Sequence, residues 1–153
     1  NYDAFNIKNG TRIIADSAFY SNNFEGTLVI PDGVTHIGSG AFSGCDGIRY
    51  IIIPDSVIYI GSSAFSNCDG LWNLTIGNGI VSIGGSAFSY CTNLVNVRIG
   101  KSLKSIGAEA FYKCEDMDNI YFGGTQEEWY LVEKGENWNT YAWSCRITYN
   151  YKG

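Results

Sequence analysis

The residues with chemistry to offer in this chain are few: one histidine, five cysteines and a set of carboxylates that recur at fixed spacing. Stepping from His36 in units of 23 residues reaches Ile13, Tyr59, Ser82 and Ser105, a mixed column that reads as outward-facing, so His36 is expected to be a solvated surface residue rather than a base. No Gly-x-Ser-x-Gly elbow, paired His-Glu-x-x-His or phosphate-cradling glycine loop occurs, and no catalytic residue is assigned. Cys45, Cys68, Cys91 and Cys114 also recur every 23 residues. Stacked one above another at the strand-to-strand spacing of about 4.8 Å, their parallel side chains hold the Cβ atoms beyond the ~3.5–4.5 Å of a disulfide. Four sulfurs in a line also cannot form the tetrahedron that zinc requires. They are expected to be reduced, buried thiols that act as small apolar fillers. Cys145 lies outside that series, and its state is left open. Asp46, Asp69 and Glu115 share a column, with Thr92 between them and Asp116 and Asp118 nearby. Stacked carboxylates on a loop edge can hold calcium; the plainer expectation is that Asp and Thr bond local backbone in the turn after each cysteine. No metal and no cofactor is assigned. Asn9-Gly10-Thr11 and Asn73-Leu74-Thr75 fit a glycosylation acceptor, a pattern short enough to arise by chance.

The spacing of these residues belongs to the whole chain. Ala-Phe recurs at 18–19, 41–42, 64–65, 87–88 and 110–111, and Ile-Gly at 37–38, 60–61, 83–84 and 106–107, with Ile14-Ala15 as the earlier copy. A fixed period in this range, without insertion or deletion, signals a solenoid whose units bury their apolar side only by stacking. In the third copy the inward positions are Leu71, Leu74, Ile76, Ile80, Ile83, Ala87, Phe88 and Cys91. Extended segments at 2–7, 25–30, 48–53, 71–76, 94–99 and 117–122 predict one parallel sheet. Pro31 and Pro54 close two of them, where a missing N–H suits a strand end. A second extended piece, such as 57–60, turns inward at both ends before Gly61 turns the chain, and Ser-Ala-Phe is expected to form a single helical or 3₁₀ turn. Phe19, Phe42, Phe65, Phe88 and Phe111 should then stack as the main anchor of the core. The first copy is degenerate: Phe5 and Ile7 keep the strand pattern, but Thr11, Ala15 and Asn22 depart from it. Its uncovered edge is a route to edge-to-edge self-association.

After Phe122-Gly123-Gly124 the period stops. Thr125-Gln126-Glu127-Glu128 is a capping-box signature, predicting a helix of two to three turns through Trp129, Leu131 and Val132 that ends near Gly135. Trp138 and Trp143 should anchor an irregular stretch, and alternation from Cys145 to Tyr151 predicts a strand. The domain reading is therefore a solenoid over 1–124 and a C-terminal capping segment of the same domain over 125–153. Net charge is −5 and charged residues are 16%, so no basic field exists to hold nucleic acid or an anionic membrane. No apolar run approaches the roughly 18–20 residues of a membrane span, and no signal peptide is visible at Asn1. The chain opens almost directly in a repeat, as a segment of a longer protein would.

The motif Ile53-Pro54…Val57…Ile60-Gly61…Ala64-Phe65…Cys68…Leu71…Leu74 resembles the BspA-like leucine-rich repeat. The tail, Tyr121-Phe122-Gly123-Gly124-Thr125…Glu128-Trp129…Ile147-Thr148-Tyr149-Asn150, resembles that family's C-terminal segment. The resemblance implies a mainly β, right-handed leucine-rich-repeat solenoid with one parallel sheet and a helix-plus-strand cap. It implies a non-catalytic module of an extracellular or cell-surface bacterial protein, engaged in adhesion or in binding a protein or glycan ligand, host-derived in some members. The alternative is a structural spacer that presents another domain. A binding face is read from the outward columns of the sheet: Ala4, Thr27, Tyr50, Asn73, Asn96, Asn119 in one, and Asn6, Val29, Ile52, Thr75, Arg98, Tyr121 in the other. The core needs none of these identities. Val29, Tyr50, Ile52, Thr75, Arg98 and Tyr121 are the candidate binding residues, since Tyr and Arg are favoured at hot spots and grouped exposed aliphatics mark contact sites. Ile58, Tyr59 and Val81 form a rival apolar spot.

Overall fold

The computed structural model describes residues 7–142 and 144–152. In chain order the elements are β1 (Ile13–Ile14), β2 (Gly26–Val29), β3 (His36–Ile37), β4 (Ile48–Ile53), β5 (Tyr59–Ile60), β6 (Asn73–Ile76), β7 (Ser82–Ile83), β8 (Asn96–Ile99), β9 (Ser105–Ile106), β10 (Asn119–Phe122), α1 (Gln126–Leu131), β11 (Glu133–Lys134) and β12 (Arg146–Thr148). Long and short strands alternate. The long ones form a parallel sheet in the order β12-β10-β8-β6-β4-β2, and the short ones form a second in the order β1-β3-β5-β7-β9-β11. Register follows the repeat, Ile51 pairing with Leu74, Leu74 with Val97 and Val97 with Ile120. The solenoid of the sequence reading is what forms, but with two sheets rather than one. The extended piece at 57–60 turns Val57 and Ile60 into the core, which leaves its backbone at the wall with only the neighbouring coils to bond. Of the strand expected at 2–7 only Ile7, which is buried, is among the described residues; Ala4, Phe5, Asn6 and Trp143 lie outside them.

The third side of each coil is not the helical turn expected from Ser-Ala-Phe. Ser63, Phe65 and Asn67 donate their N–H groups to the carbonyls of Gly85, Ala87 and Ser89 in the next coil, at 2.9, 2.7 and 2.8 Å. Ala64 and Ser66 donate back within the turn, to Gly61 and Ser63. Ser63 and Asn67 adopt left-handed φ values of 55° and 56°, and these interruptions let alternate N–H groups point along the solenoid axis. All three sides are thus bonded coil to coil.

Inside, Phe42, Phe65, Phe88 and Phe111 are fully buried. Their rings stack with centroids 5.1, 5.2 and 5.3 Å apart and planes within 9°. Phe19 continues the stack at 5.0 Å from Phe42 but is only partly buried. The cysteines form the buried column expected of them, as free thiols. They also do something that their size does not require. Cys45, Cys68, Cys91 and Cys114 each lie 3.1–3.2 Å from the carbonyl of the phenylalanine one coil back, placed for S–H donation to Phe19, Phe42, Phe65 and Phe88. The Ile-Gly glycines have a different cause from the turn role expected of them. A Cβ on Gly61 would sit 2.6 Å from the backbone nitrogen of Ser39 in the preceding coil, so close backbone approach excludes a side chain. Ala15 holds the equivalent place in the first described coil.

The C-terminal segment adds a further coil rather than only a lid. Lys134 pairs with Ile106 and lies 28 residues after it, whereas Ile106 lies 23 after its partner Ile83. The five extra residues are absorbed at the corner where α1 forms. Thr125 and Glu128 make the capping box as expected, with Glu128 N–H donating to Thr125 Oγ1 at 3.1 Å and Thr125 N–H to Glu128 Oε2 at 2.8 Å. α1 stops at Leu131, well short of Gly135, because Val132 turns extended and inward and residues 133–134 join the short-strand sheet. Lys134 reaches back to donate to the Trp129 and Val132 carbonyls at 2.7 and 2.9 Å, satisfying acceptors that the helix end leaves open. Trp138 anchors the stretch as expected, its ring 5.9 Å from Trp129 and 6.4 Å from Phe111. β12 then extends the long-strand sheet.

Candidate interaction face

The outer face of the long-strand sheet carries the candidate residues where the register puts them. Val29, Ile52, Thr75, Arg98 and Tyr121 pair in succession across β2, β4, β6, β8 and β10, and Tyr50 lies in the adjacent column. The face divides into regions of different chemistry. At the β2–β4 end Val29, Tyr50 and Ile52 are 51%, 42% and 44% exposed, an apolar cluster open to solvent. Trp72, half exposed, precedes Asn73, the residue paired with Tyr50. It is not among the candidates read from the sequence, although a Trp in a column that elsewhere holds Asp3, Gly26, Arg49, Val95 and Asp118 is a visible signal.

In the middle, the asparagines form a ladder. Asn119 Nδ2 donates to Asn96 Oδ1 at 3.0 Å and Asn96 Nδ2 to Asn73 Oδ1 at 2.9 Å. Those amides serve neighbouring coils, and Asn73 takes part through Oδ1 rather than through the Nδ2 that a glycan would modify.

At the β8–β12 end Arg98 and Tyr121 are engaged by the C-terminal tail. Asn150 and Tyr151 bond the Gly124 and Phe122 carbonyls, which lays the Tyr151 ring 5.0 Å from that of Tyr121. The Arg98 guanidinium carbon lies 5.3 and 5.6 Å from the two ring centroids, and its Nε donates to Tyr151 Oη at 3.1 Å. The six candidates therefore share one face without forming one uniform patch.

The other candidates separate cleanly. His36 is exposed; its Nδ1 lies 2.9 Å from Oγ1 of its neighbour Thr35 and its ring 6.2 Å from that of Tyr59. The rival apolar spot exists: Ile58, Tyr59 and Val81 are 42%, 37% and 39% exposed, joined by Ile13 at 63%. Among the described residues no group of three His, Cys, Asp or Glu side chains could hold a metal ion. Asp46, Asp69 and Glu115 are exposed, but the backbone bonds expected of the Asp column do not form there. Main-chain bonds such as Leu71 N–H to Cys68 O at 3.0 Å already satisfy that turn. Carboxylates bond backbone elsewhere, but from coil to coil: Asp16 Oδ1 accepts from Ser39 N–H at 2.8 Å and Asp55 Oδ1 from Asn78 N–H at 2.6 Å.

The thiols are tuned away from reactivity. Burial pushes Cys45 up to about 11 and Cys114 to about 12; Cys68 is raised by the Cys91 thiol and by burial, and Cys91 by burial. Cys145 is half buried and raised to about 11, mainly by desolvation. Neutral thiols are poor nucleophiles, so the column is packing and bonding rather than chemistry.

Residues 12–130 match the model of the BspA type leucine rich repeat region, in six copies. Among solved structures, the chain is similar to a T. pallidum leucine-rich repeat protein, at 27% identity and a TM-score of 0.70, covering 93% of this chain and 69% of that one. It is similar to a leucine-rich cell surface protein of Faecalibacterium prausnitzii at 28% identity and a TM-score of 0.54, over 70% of this chain and 34% of that one. A leucine-rich repeat protein of Bacteroides ovatus, 21% identical with a TM-score of 0.54, shares the fold over 94% of this chain and 47% of its own length. The chain thus spans about a third to two thirds of these proteins. No curated protein matches it.

Proposed function

Because the chain belongs to the BspA-type leucine-rich repeat family, whose repeats are typically protein-interaction modules, we propose that it is a non-catalytic binding module of a surface or secreted bacterial protein. Its protein partner lands on the long-strand sheet across residues 50–121. The observation that carries the reading is the exposed cluster of Val29, Tyr50 and Ile52 on a sheet whose inner face is fully committed to the core. Grouped exposed aliphatic and aromatic side chains are what an interface core is made of, and the parallel coils hold them rigidly, so that binding orders little. Trp72 at the margin adds a large anchor. The Faecalibacterium relative is described as a cell surface protein, and no helix among the described residues is long and apolar enough to cross a membrane.

The test is binding of the immobilised chain to a panel of extracellular matrix and serum proteins, with two double variants that keep the melting temperature. Tyr50→Ala with Ile52→Ser should remove binding, whereas Asp69→Ala with Glu115→Ala should not. The reverse pattern rejects the sheet face. Binding to no member of the panel favours a spacer that presents another domain.

A further inference from the structure

The β8–β12 end of the face holds a second site, of a different kind from the apolar end. Where the long strands run out, a cleft of about 540 Å³ runs across successive coils beside the C-terminal tail, its chemistry supplied by Thr75, Asn78, Arg98, Lys101, Tyr121, Tyr151 and Lys152. That volume falls within the range of small-ligand pockets, about 300–1,000 Å³. The chain is acidic, with 15 Asp and Glu against 10 Lys and Arg, yet three of those ten cations line this one cleft, and among the described residues the one acidic side chain in its wall is Asp55. Asp55 already has work, accepting the Asn78 N–H. Arg98 is held against two adjoining tyrosine rings through its Nε and ring contacts, and among the described residues it bonds no carboxylate. A guanidinium fixed in this way, its terminal amino groups making no hydrogen bond among the described residues, is preorganised for a bidentate carboxylate.

We propose that this cleft binds a saccharide carrying a carboxylate. Arg98 takes the carboxylate, Lys101 and Lys152 add charge, Tyr121 and Tyr151 offer ring faces and hydroxyls, and Thr75 and Asn78 face the sugar hydroxyls. A peptide fits the walls less well. β6, β8 and β10 are each paired on both sides, so no free strand edge exists for backbone addition. The aliphatic wall residues, Ile76 and Ile99, are buried at 3% and 2% exposure and leave no apolar pocket for a side chain. Thr75, Arg98 and Tyr121 also fall within the stretch given to the protein partner, but the site does not rest on that reading, which is carried by Val29, Tyr50 and Ile52.

Calorimetric titration of the whole chain with trigalacturonic acid and 3′-sialyllactose, each beside its uncharged counterpart (the methyl ester and lactose), tests this with no protein partner present. At least one acidic sugar should bind and its neutral counterpart should not. Arg98→Gln should weaken binding at least tenfold and Tyr151→Ala several-fold, with unchanged melting. Lys104→Gln, the same charge change on the short-strand side, should leave it intact. A tenfold rise in salt should weaken binding several-fold. The proposal falls if neither acidic sugar binds, if the neutral forms bind equally, if Arg98→Gln is silent, or if a hexaglutamate peptide binds as tightly as the sugar. None of those outcomes bears on the apolar end of the face.

Discussion

Removing one ring from the middle of the phenylalanine stack tests the core more sharply than removing one from its end. Phe65 is fully buried, with Phe42 5.1 Å below and Phe88 5.2 Å above, each ring tilted by 2°. A buried aromatic side chain removes roughly 150–200 Å² from water, which at about 25 cal/mol per Å² is ~4–5 kcal/mol. Phe→Ala in a core that only partly collapses falls in the same range, about 3–5 kcal/mol. Phe19 stacks on Phe42 at 5.0 Å and touches Phe24 at 5.7 Å, but it is only partly buried, so Phe19→Ala should cost roughly 1–2 kcal/mol by the same area argument. In a solenoid, stability is close to a sum of coil and nearest-neighbour terms; Phe65 serves the interfaces on both sides of its coil, and Phe19 lies at the edge of the described array. In urea, with a slope of about 2 kcal/mol per molar, the Phe65→Ala midpoint should fall by about 2 M and that of Phe19→Ala by less than 1 M. Equal shifts, or a larger one at Phe19, would refute the placement of the core.

The cysteine column should resist a thiol reagent at neutral pH until the chain unfolds, and mass spectrometry of the untreated protein should find no bridge among Cys45, Cys68, Cys91 and Cys114. Their folded pKa values lie above the unfolded one, so this contribution to stability is whole below about pH 8.5. It is lost as pH climbs towards the 11 of Cys45 and the 12 of Cys114, and melts that stay flat through that window would contradict it. Asn96 both donates and accepts in the asparagine ladder, so Asn96→Ala should cost about 1–2 kcal/mol and Asn119→Ala, which removes one bond, about half as much. Chemical melts that rank them the other way would remove the ladder's structural role. Thr125→Ala should cost about 1 kcal/mol and free the Trp129 indole, visible as a shift in its fluorescence.

What the sequence makes legible is whatever a fixed period dictates. The inward columns, the phenylalanine stack, the thiol column and the capping box of Thr125 all follow from residue type and spacing, because each coil sees the same neighbours above and below. The second sheet was less visible: two-residue strands such as Tyr59–Ile60 are too short for an alternating pattern to show, and they exist only because the next coil supplies their partners. The last coil was hidden for a different reason. Its insertion shifts the register from 23 to 28, so Lys134 and Trp138 no longer line up with their equivalents although they occupy the same sides. At the candidate face the columns were readable but the side-chain partners were not. Nothing in the spacing of Arg98 and Tyr151, 53 residues apart, indicates that the tail folds back to hold the guanidinium.

The same logic decides where function should be sought. A core column keeps its identity because it is packed between copies of itself, so constancy there reports stacking. An outer column has no such constraint, and its changes carry the information; yet from Asn73 through Asn96 to Asn119 an outer column stays constant because those amides, too, bond to their own copies. Position alone therefore does not separate structure from function, whereas bonding between successive copies does. The turn column at Ser21, Gly44 and Asn67 illustrates the point. Gly44 and Asn67 tolerate the left-handed backbone, but in the next coils the same place holds Tyr90 and Lys113, at φ 59° and 56°, where bulky side chains are disfavoured. Lys113 Nζ there lies 5.6 Å from the Tyr90 ring centroid and 5.5 Å from that of Tyr141. The strain is offset by contacts between copies, and the column is accounted for without a ligand. Val29, Tyr50 and Ile52 have no such account. They stand on adjacent strands of the outer face with about half their surface in water, and they are where the fold gives no reason for the residues that are there.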